Sequence, residues 1–246
     1  MTERYGLIGR SLSHSFSQDY FRKKFAAEKS DAVYENFELE RADELPALCA
    51  AHPDLNGLNV TVPYKEAVMS FIDETDPVAA AVGAVNTIAF RGGRKVGFNT
   101  DVIGFRESIK PFLTHGTERA LILGTGGASK AVAYVLRRLG IVAFFVSRNP
   151  RGSDTIGYGT LTPEAVRSCL LIVNTTPLGT APRTEEMPEL PYDALTPNHL
   201  LYDLVYNPAE TAFMREGKLR GATVVNGLSM LKIQAEASLR IWREGR

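Results

Sequence analysis

The stretch Leu121-Ile122-Leu123-Gly124-Thr125-Gly126-Gly127-Ala128-Ser129-Lys130-Ala131-Val132 narrows the choice of fold more than any other. It reads as a short apolar strand, a glycine-rich turn and the start of an alanine-rich helix. Glycines at such a corner allow a tight turn and a close backbone approach to an anion, toward which the first N–H groups of the helix point. Gly124-x-Gly126-Gly127-x-Ser129 is the spacing of a dinucleotide pyrophosphate loop, with Ser129 where a third glycine is usual. A residue this small still permits close helix–sheet packing. On this stretch alone, a flexible βα loop without a ligand remains the alternative.

A loop of this kind needs a parallel sheet around it, and the chain supplies one. The run Ala120–Leu123 is followed by apolar runs at Ile141–Val146, Cys169–Val173, Leu200–Leu204 and Thr223–Val225, each trailed by turn or helix signals. The first hundred residues show the same alternation, with strands predicted at Tyr5–Gly9, Val33–Leu39, Gly57–Val62 and Val85–Phe90. Helices are predicted at Phe16–Glu28, Ala42–Ala51 and Tyr64–Ile72. The turn composition of residues 91–95 pairs Val85–Phe90 with Val96–Asn99 as a hairpin. Leu228–Trp242 reads as one amphipathic helix, with Leu231, Ala235, Leu239 and Trp242 on a face. The fold class is α/β, in two units, with no repeat or extended linker.

The second strand of the glycine-loop unit ends in Ser147-Arg148-Asn149-Pro150-Arg151. An NAD-binding protein usually carries Asp or Glu there, to accept from the ribose 2′-hydroxyl. Two guanidiniums and no carboxylate favour a 2′-phosphate instead, hence NADP(H).

Lys+Arg and Asp+Glu both number 28, for a formal net charge of zero. That balance argues against nucleic acid or an anionic membrane as a main partner. Cys49 and Cys169 stand far apart without metal-ligand spacing, as idle thiols do in a reducing compartment. No segment approaches the length of a membrane span or signal peptide, so the expected location is cytoplasmic.

Outside the cofactor loop, polar residues sit in otherwise apolar elements. In Leu58-Asn59-Val60-Thr61-Val62-Pro63-Tyr64-Lys65-Glu66, strand alternation turns Leu58, Val60 and Val62 one way and Asn59 and Thr61 the other. Pro63 suits a first helical position, which puts Lys65 in the first turn, where the macrodipole opposes a cation. A lysine so placed suits proton transfer. A half-exposed strand with a solvated lysine is the plainer reading. Asp101 opens a helix, as a cap or as a carboxylate partner for a lysine. Ser13-His14-Ser15-Phe16-Ser17 offers hydroxyls to a carboxylate, or simply caps a helix. With no G-x-S-x-G elbow, a hydrolase triad is not indicated.

Taken together, these residues resemble the shikimate/quinate dehydrogenase family nearly end to end. The matching motifs are SHSFS at 13–17, NVTVPYK at 59–65, GAVNT at 83–87, NTD at 99–101 and GTGGASKA at 124–131. They continue with SRN at 147–149, NTTPLG at 174–179, YDLVYNP at 202–208 and NGLSMLKIQA at 226–235. The resemblance implies a discontinuous substrate-binding domain (1–101 plus 226–246) and a Rossmann-type NADP-binding domain (102–225), with the active site in the cleft between them. It implies Lys65 and Asp101 as the catalytic pair. Ser15 and Ser17 would hold the substrate carboxylate, and Asn59, Thr61, Asn86, Asp101 and Gln234 the ring hydroxyls, with Tyr206 nearby. Gly124, Thr125, Gly126, Gly127 and Ala128 would carry the pyrophosphate, Ser147, Arg148, Asn149 and Arg151 the 2′-phosphate, and Leu204 and Gly227 the nicotinamide. The implied activity is NADPH-dependent reduction of 3-dehydroshikimate to shikimate, without a metal, by a monomer or homodimer. The alternatives are an NAD-using quinate/shikimate dehydrogenase and a non-catalytic dinucleotide or metabolite sensor. The family's usual Asn-Arg-Thr phosphate motif is altered here to Ser147-Arg148-Asn149.

Overall fold

Every apolar run named above contributes a strand, and the strands collect into two six-stranded sheets. The computed structural model describes residues 3–12, 15–150, 152 and 154–244. Its chain divides into one unit of Met1–Thr100 with Gln234–Arg246 and a second of Asp101–Ile233. The protein is α/β, each sheet being rich in parallel pairs.

The first unit runs β1 (Arg4–Gly9), α1 (Phe16–Ala27), β2 (Val33–Glu38), α2 (Leu45–Ala51), β3 (Leu55–Val60), β4 (Glu74–Thr75), α3 (Pro77–Val82), β5 (Thr87–Arg91) and β6 (Arg94–Phe98). Its sheet order is β2-β1-β3-β5-β6-β4. The expected hairpin is the antiparallel β5–β6 pair, in register from Thr87↔Phe98 to Arg91↔Arg94. β3 lies inside the sheet and its last four residues, Gly57–Val60, are all buried, so it is not the half-exposed strand of the plainer reading; Leu58 and Val60 pack in one core cluster while Asn59 meets Tyr34 and Ser238. Val62 lies beyond the strand and is 72% exposed.

The predicted helix at Tyr64–Ile72 is absent: a turn carries Lys65, and only Ala67–Phe71 coils, as a 3-10 helix. The reason is a competing partner. An α-helix would use the Lys65 carbonyl for the amide of Met69, but Val85 N donates to it at 2.7 Å and Met69 N turns to Glu66 O at 3.2 Å. Lys65 therefore sits in no helical first turn, and the macrodipole argument for it lapses.

The second unit runs α4 (Asp101–Ile109), β7 (Arg119–Leu123), α5 (Gly127–Arg138), β8 (Val142–Ser147), β9 (Thr155–Gly157), α6 (Pro163–Ser168), β10 (Leu171–Asn174), β11 (Leu200–Asp203), α7 (Ala212–Leu219) and β12 (Thr223–Val225). All its strand pairs are parallel. The order β12-β11-β10-β7-β8-β9 is a doubly wound Rossmann arrangement, its direction of growth reversing between β7 and β10. Helix α8 (Leu228–Glu244) begins in this unit and continues into the first. There Trp242 stacks on Tyr5 with ring centroids 4.8 Å apart, and its indole nitrogen donates to Ile88 O at 2.9 Å. Gly57 makes room for it, since a Cβ at 57 would lie 2.2 Å from Trp242 Cδ1.

Candidate active site

At the switch point of the second sheet, β7 delivers the chain to Gly124, whose φ of +107° is closed to most side chains. A Cβ there would lie 2.8 Å from Thr175 Oγ1, on the neighbouring loop after β10. Gly126 caps α5 without any side-chain hydrogen bond, so no cap side chain occupies its first-turn N–H groups. Ser129 is fully buried and donates to Gly126 O at 2.6 Å, filling the third-glycine position as expected of a small residue. These features fit a dinucleotide pyrophosphate.

A cleft beside the loop is lined by Thr125, Lys130, Phe145, Ser147, Arg148, Asn149, Asp154 and Thr155. Asn149 N donates to Ser147 Oγ at 3.2 Å, which shapes the turn carrying Arg148. Arg151 lies outside the described residues, as does His14. Lys130 and Phe145 escaped the sequence reading because helix and strand periodicity assigned them to packing. Asp154 escaped it because the strand end itself carries no carboxylate.

On the same edge, Leu204 and Gly227 are brought together. A Cβ at 227 would lie 2.1 Å from Leu204 O, so only glycine fits, and Gly227 N donates to Val205 O at 3.1 Å. Tyr206 lies in the loop after β11 and is half-buried. That loop is pinned by Asp203, a residue sequence reasoning missed. Its carboxylate is fully buried and accepts from Thr211 Oγ1 at 2.6 Å, Asn174 Nδ2 at 2.9 Å and Val205 N at 3.0 Å. Burial pushes its pKa up to about 6, against the pull of those three donors.

The first unit holds a second polar cluster. Asn59, Asn86, Thr87, Thr100, Gln234 and Ser238 are all buried. Asn86 Oδ1 accepts from Thr100 N at 2.7 Å, and Asn86 Nδ2 donates to Thr100 Oγ1 at 3.0 Å. Gln234 Oε1 accepts from Thr100 Oγ1 at 3.3 Å and from Asn86 Nδ2 at 3.5 Å. Thr87, Thr100 and Ser238 were not singled out from the sequence, since a lone hydroxyl in a strand or helix carries no signal of its own. Ser15 is the N-cap of α1, accepting from Gln18 N at 3.4 Å. Ser17 is buried in α1. Thr61 follows β3, its amide donating to Ile8 O at 2.9 Å. Lys65 is half-buried in the first unit, and Asp101 is buried at the start of α4 in the second. Among the described residues no group of three or more His, Cys, Asp or Glu side chains could hold a metal ion.

Comparison with known proteins bears on what such a chain does. Residues 7–88 match the family model described as the shikimate dehydrogenase substrate binding domain. A protein of Moorella thermoacetica named shikimate dehydrogenase (NADP(+)) is 38% identical, over 96% of this chain and 86% of its own. One of the same name from Desulforamulus reducens is 34% identical, over 98% of this chain and 90% of its own. Among solved structures, shikimate 5-dehydrogenase of Thermus thermophilus, in complex with NADP(H) and shikimate, superposes with a TM-score of 0.87. It is 31% identical, and the match covers 99% of this chain and 94% of that one.

Proposed function

Because the chain belongs to the shikimate dehydrogenase family, we propose that it catalyses the reversible, NADPH-dependent reduction of 3-dehydroshikimate to shikimate. The observation that carries this reading is the buried meeting of Asn86, Thr100 and Gln234, two of which lie 148 residues apart. Amide and hydroxyl groups gathered in this way suit a ring bearing several hydroxyls.

In this proposal the substrate-binding domain is 1–101 plus 226–246 and the NADP-binding domain is 102–225. Gly124 to Ala128 hold the pyrophosphate, Ser147, Arg148 and Asn149 the 2′-phosphate, and Leu204 and Gly227 flank the nicotinamide. NADPH, when bound, supplies the hydride for the ring carbonyl carbon. Negative charge then gathers on the carbonyl oxygen, where the Lys65 ammonium stabilises it and gives up a proton. In the oxidising direction Lys65 takes that proton back. Asp101 provides the anionic counterpart and accepts from a ring hydroxyl. Ser15 and Ser17 donate to the substrate carboxylate, and Thr61, Asn86 and Gln234 bind the remaining ring hydroxyls beside Tyr206.

The test is a set of initial rates with shikimate and quinate, each with NADP⁺ and NAD⁺. The expected result is the highest kcat/KM for shikimate with NADP⁺. Quinate with NAD⁺ as the best pair would replace this reading with the quinate enzyme, and no turnover of any pair would leave the sensor. A monomer or homodimer in the cytoplasm, with no nucleic-acid or membrane partner, belongs to the same proposal. It is supported by the zero net charge and by the lack, among the described residues, of a helix long and apolar enough to cross a membrane. Light scattering on the purified protein distinguishes monomer from dimer.

A further inference from the structure

Asn59, which the family resemblance places among the ring contacts, has both polar atoms of its side chain hydrogen-bonded inside the protein. Its Oδ1 accepts from Tyr34 Oη at 2.9 Å. Its Nδ2, with two hydrogens, faces Ser238 Oγ at 2.9 Å and both Asn86 O and Thr87 Oγ1 at 3.2 Å. The side chain lies where those partners are, between β3, β5 and α8.

Its nearest acceptor, Ser238, is fully buried on α8, one helical turn after Gln234. Ser238 Oγ donates to Gln234 O at 3.0 Å and lies 2.8 Å from Thr87 Oγ1 and 3.1 Å from Thr100 Oγ1. Trp242, a further turn along, fastens to Ile88 O. Gln234, Ser238 and Trp242 thus form an i, i+4, i+8 row of polar attachments on one helix face. The middle one reaches Asn59 on β3, Thr87 on β5 and Thr100 after β6 together. A helix held at a single point can slide or rotate by fractions of an ångström; attachment to three segments removes that freedom for Gln234 one turn away.

We infer that Asn59 and Ser238 are positioning residues, which hold the Gln234 side chain in place from within the protein and do not themselves touch the substrate. This rests on Gln234 binding a ring hydroxyl. It also assigns Tyr34 a part, since its hydroxyl orients the Asn59 amide so that Nδ2 faces Ser238.

A double-mutant cycle on the full chain tests it, with Ser238→Ala, Gln234→Ala and the combination, read in steady state and by thermal unfolding. Ser238→Ala should raise the KM for shikimate about tenfold, the scale of one misplaced hydrogen bond, while the KM for NADP⁺ stays within about twofold. In the Gln234→Ala background the same change should add little to the loss of kcat/KM, yet lower Tm as before. Ser238→Cys, somewhat larger and a weaker donor and acceptor, should shift the shikimate KM in the same direction by less, and it serves if the alanine variant does not fold. Asn59→Ala should likewise be non-additive with Gln234→Ala. Full additivity in either cycle would assign a direct substrate contact and overturn the inference. So would an unchanged shikimate KM in a Ser238→Ala protein whose Tm has fallen. If Gln234→Ala alone left the shikimate KM unaltered, the ring-binding assignment beneath the inference would fail first, and the inference with it.

Discussion

Asp203 is held by neutral donors alone, and burial raises its pKa to about 6. The native protein therefore keeps its proton at a higher pH than the unfolded chain does. Its favourable contribution is complete below the unfolded value and is lost as pH rises through about 6. The shift corresponds to about 3 kcal/mol of stability between the two ends of that window. Asp203→Asn cannot titrate, so urea denaturation at pH 4.5 and pH 7.5 (about the two ends of the window) should show a smaller pH dependence in the variant. An equal dependence in both proteins would mean the carboxylate does not titrate there. An acceptor with two oxygens explains why the carboxylate is present despite this, since an amide oxygen alone could not serve three donors on three segments. Two further residues are tested in the proposed site, one by activity and one by cofactor binding. Lys65→Ala should lower kcat by about 10²–10⁴ with a smaller change in shikimate KM, and a near-normal kcat would remove Lys65 from the chemistry. Asp154, in the cleft with Arg148 and Lys130, places a negative charge near the proposed 2′-phosphate. Asp154→Ala should tighten NADP⁺ binding about two- to fivefold, with NAD⁺ unaffected, as read by fluorescence titration.

At the level of elements, the strands other than the short β4 and β9 were legible, and several short helices were not. Apolar runs bounded by turn residues locate a strand with few residues, whereas a helical period needs several turns to show itself. Helices α3 and α6, six residues each, are too short for that. Their ends, however, are written in side chains: Asp76-Pro77 opens α3, Gly83 closes it at φ +71°, and Thr162-Pro163 opens α6. Thr211 caps α7 in the same way. Asp76 Oδ1 accepts from Val78 N at 2.9 Å and from Ala79 N at 3.4 Å. Asp76→Ala should then cost about 1 kcal/mol in chemical denaturation, and no loss would show that packing of Ala79 and Val82 carries the helix alone. The opposite error, the helix expected at Tyr64–Ile72, has the opposite cause. Tyr64 and Val68 are buried at helical spacing, but the Lys65 carbonyl is taken by an amide twenty residues on, in Val85, which no local pattern announces.

Across the whole molecule, the glycine loop was enough to place a Rossmann sheet, because its chemistry is confined to one corner of contiguous chain. The polar cluster of the first unit could not be read in the same way. Its members come from β3, β5, the segment after β6 and the middle of α8, and a hydroxyl such as Ser238 is indistinguishable in sequence from one facing solvent. Only the closing of the chain back on itself assembles it. That return has a consequence for how the protein is made. A ribosome releases residues in order, so all of Asp101–Ile233 emerges before Gln234, Ser238 and Trp242, which the first unit needs to complete its core and its polar cluster. The later-encoded unit is thus the first able to fold, and the earlier-encoded one must wait with the Gly57 gap unfilled. A chain stopped after Ile233 should show this as a protease-resistant fragment spanning 101–233 and rapid cleavage within 1–100. Folding order is then expected to run opposite to nascent-chain order, with the stretch translated first the most exposed to chaperones and aggregation during synthesis.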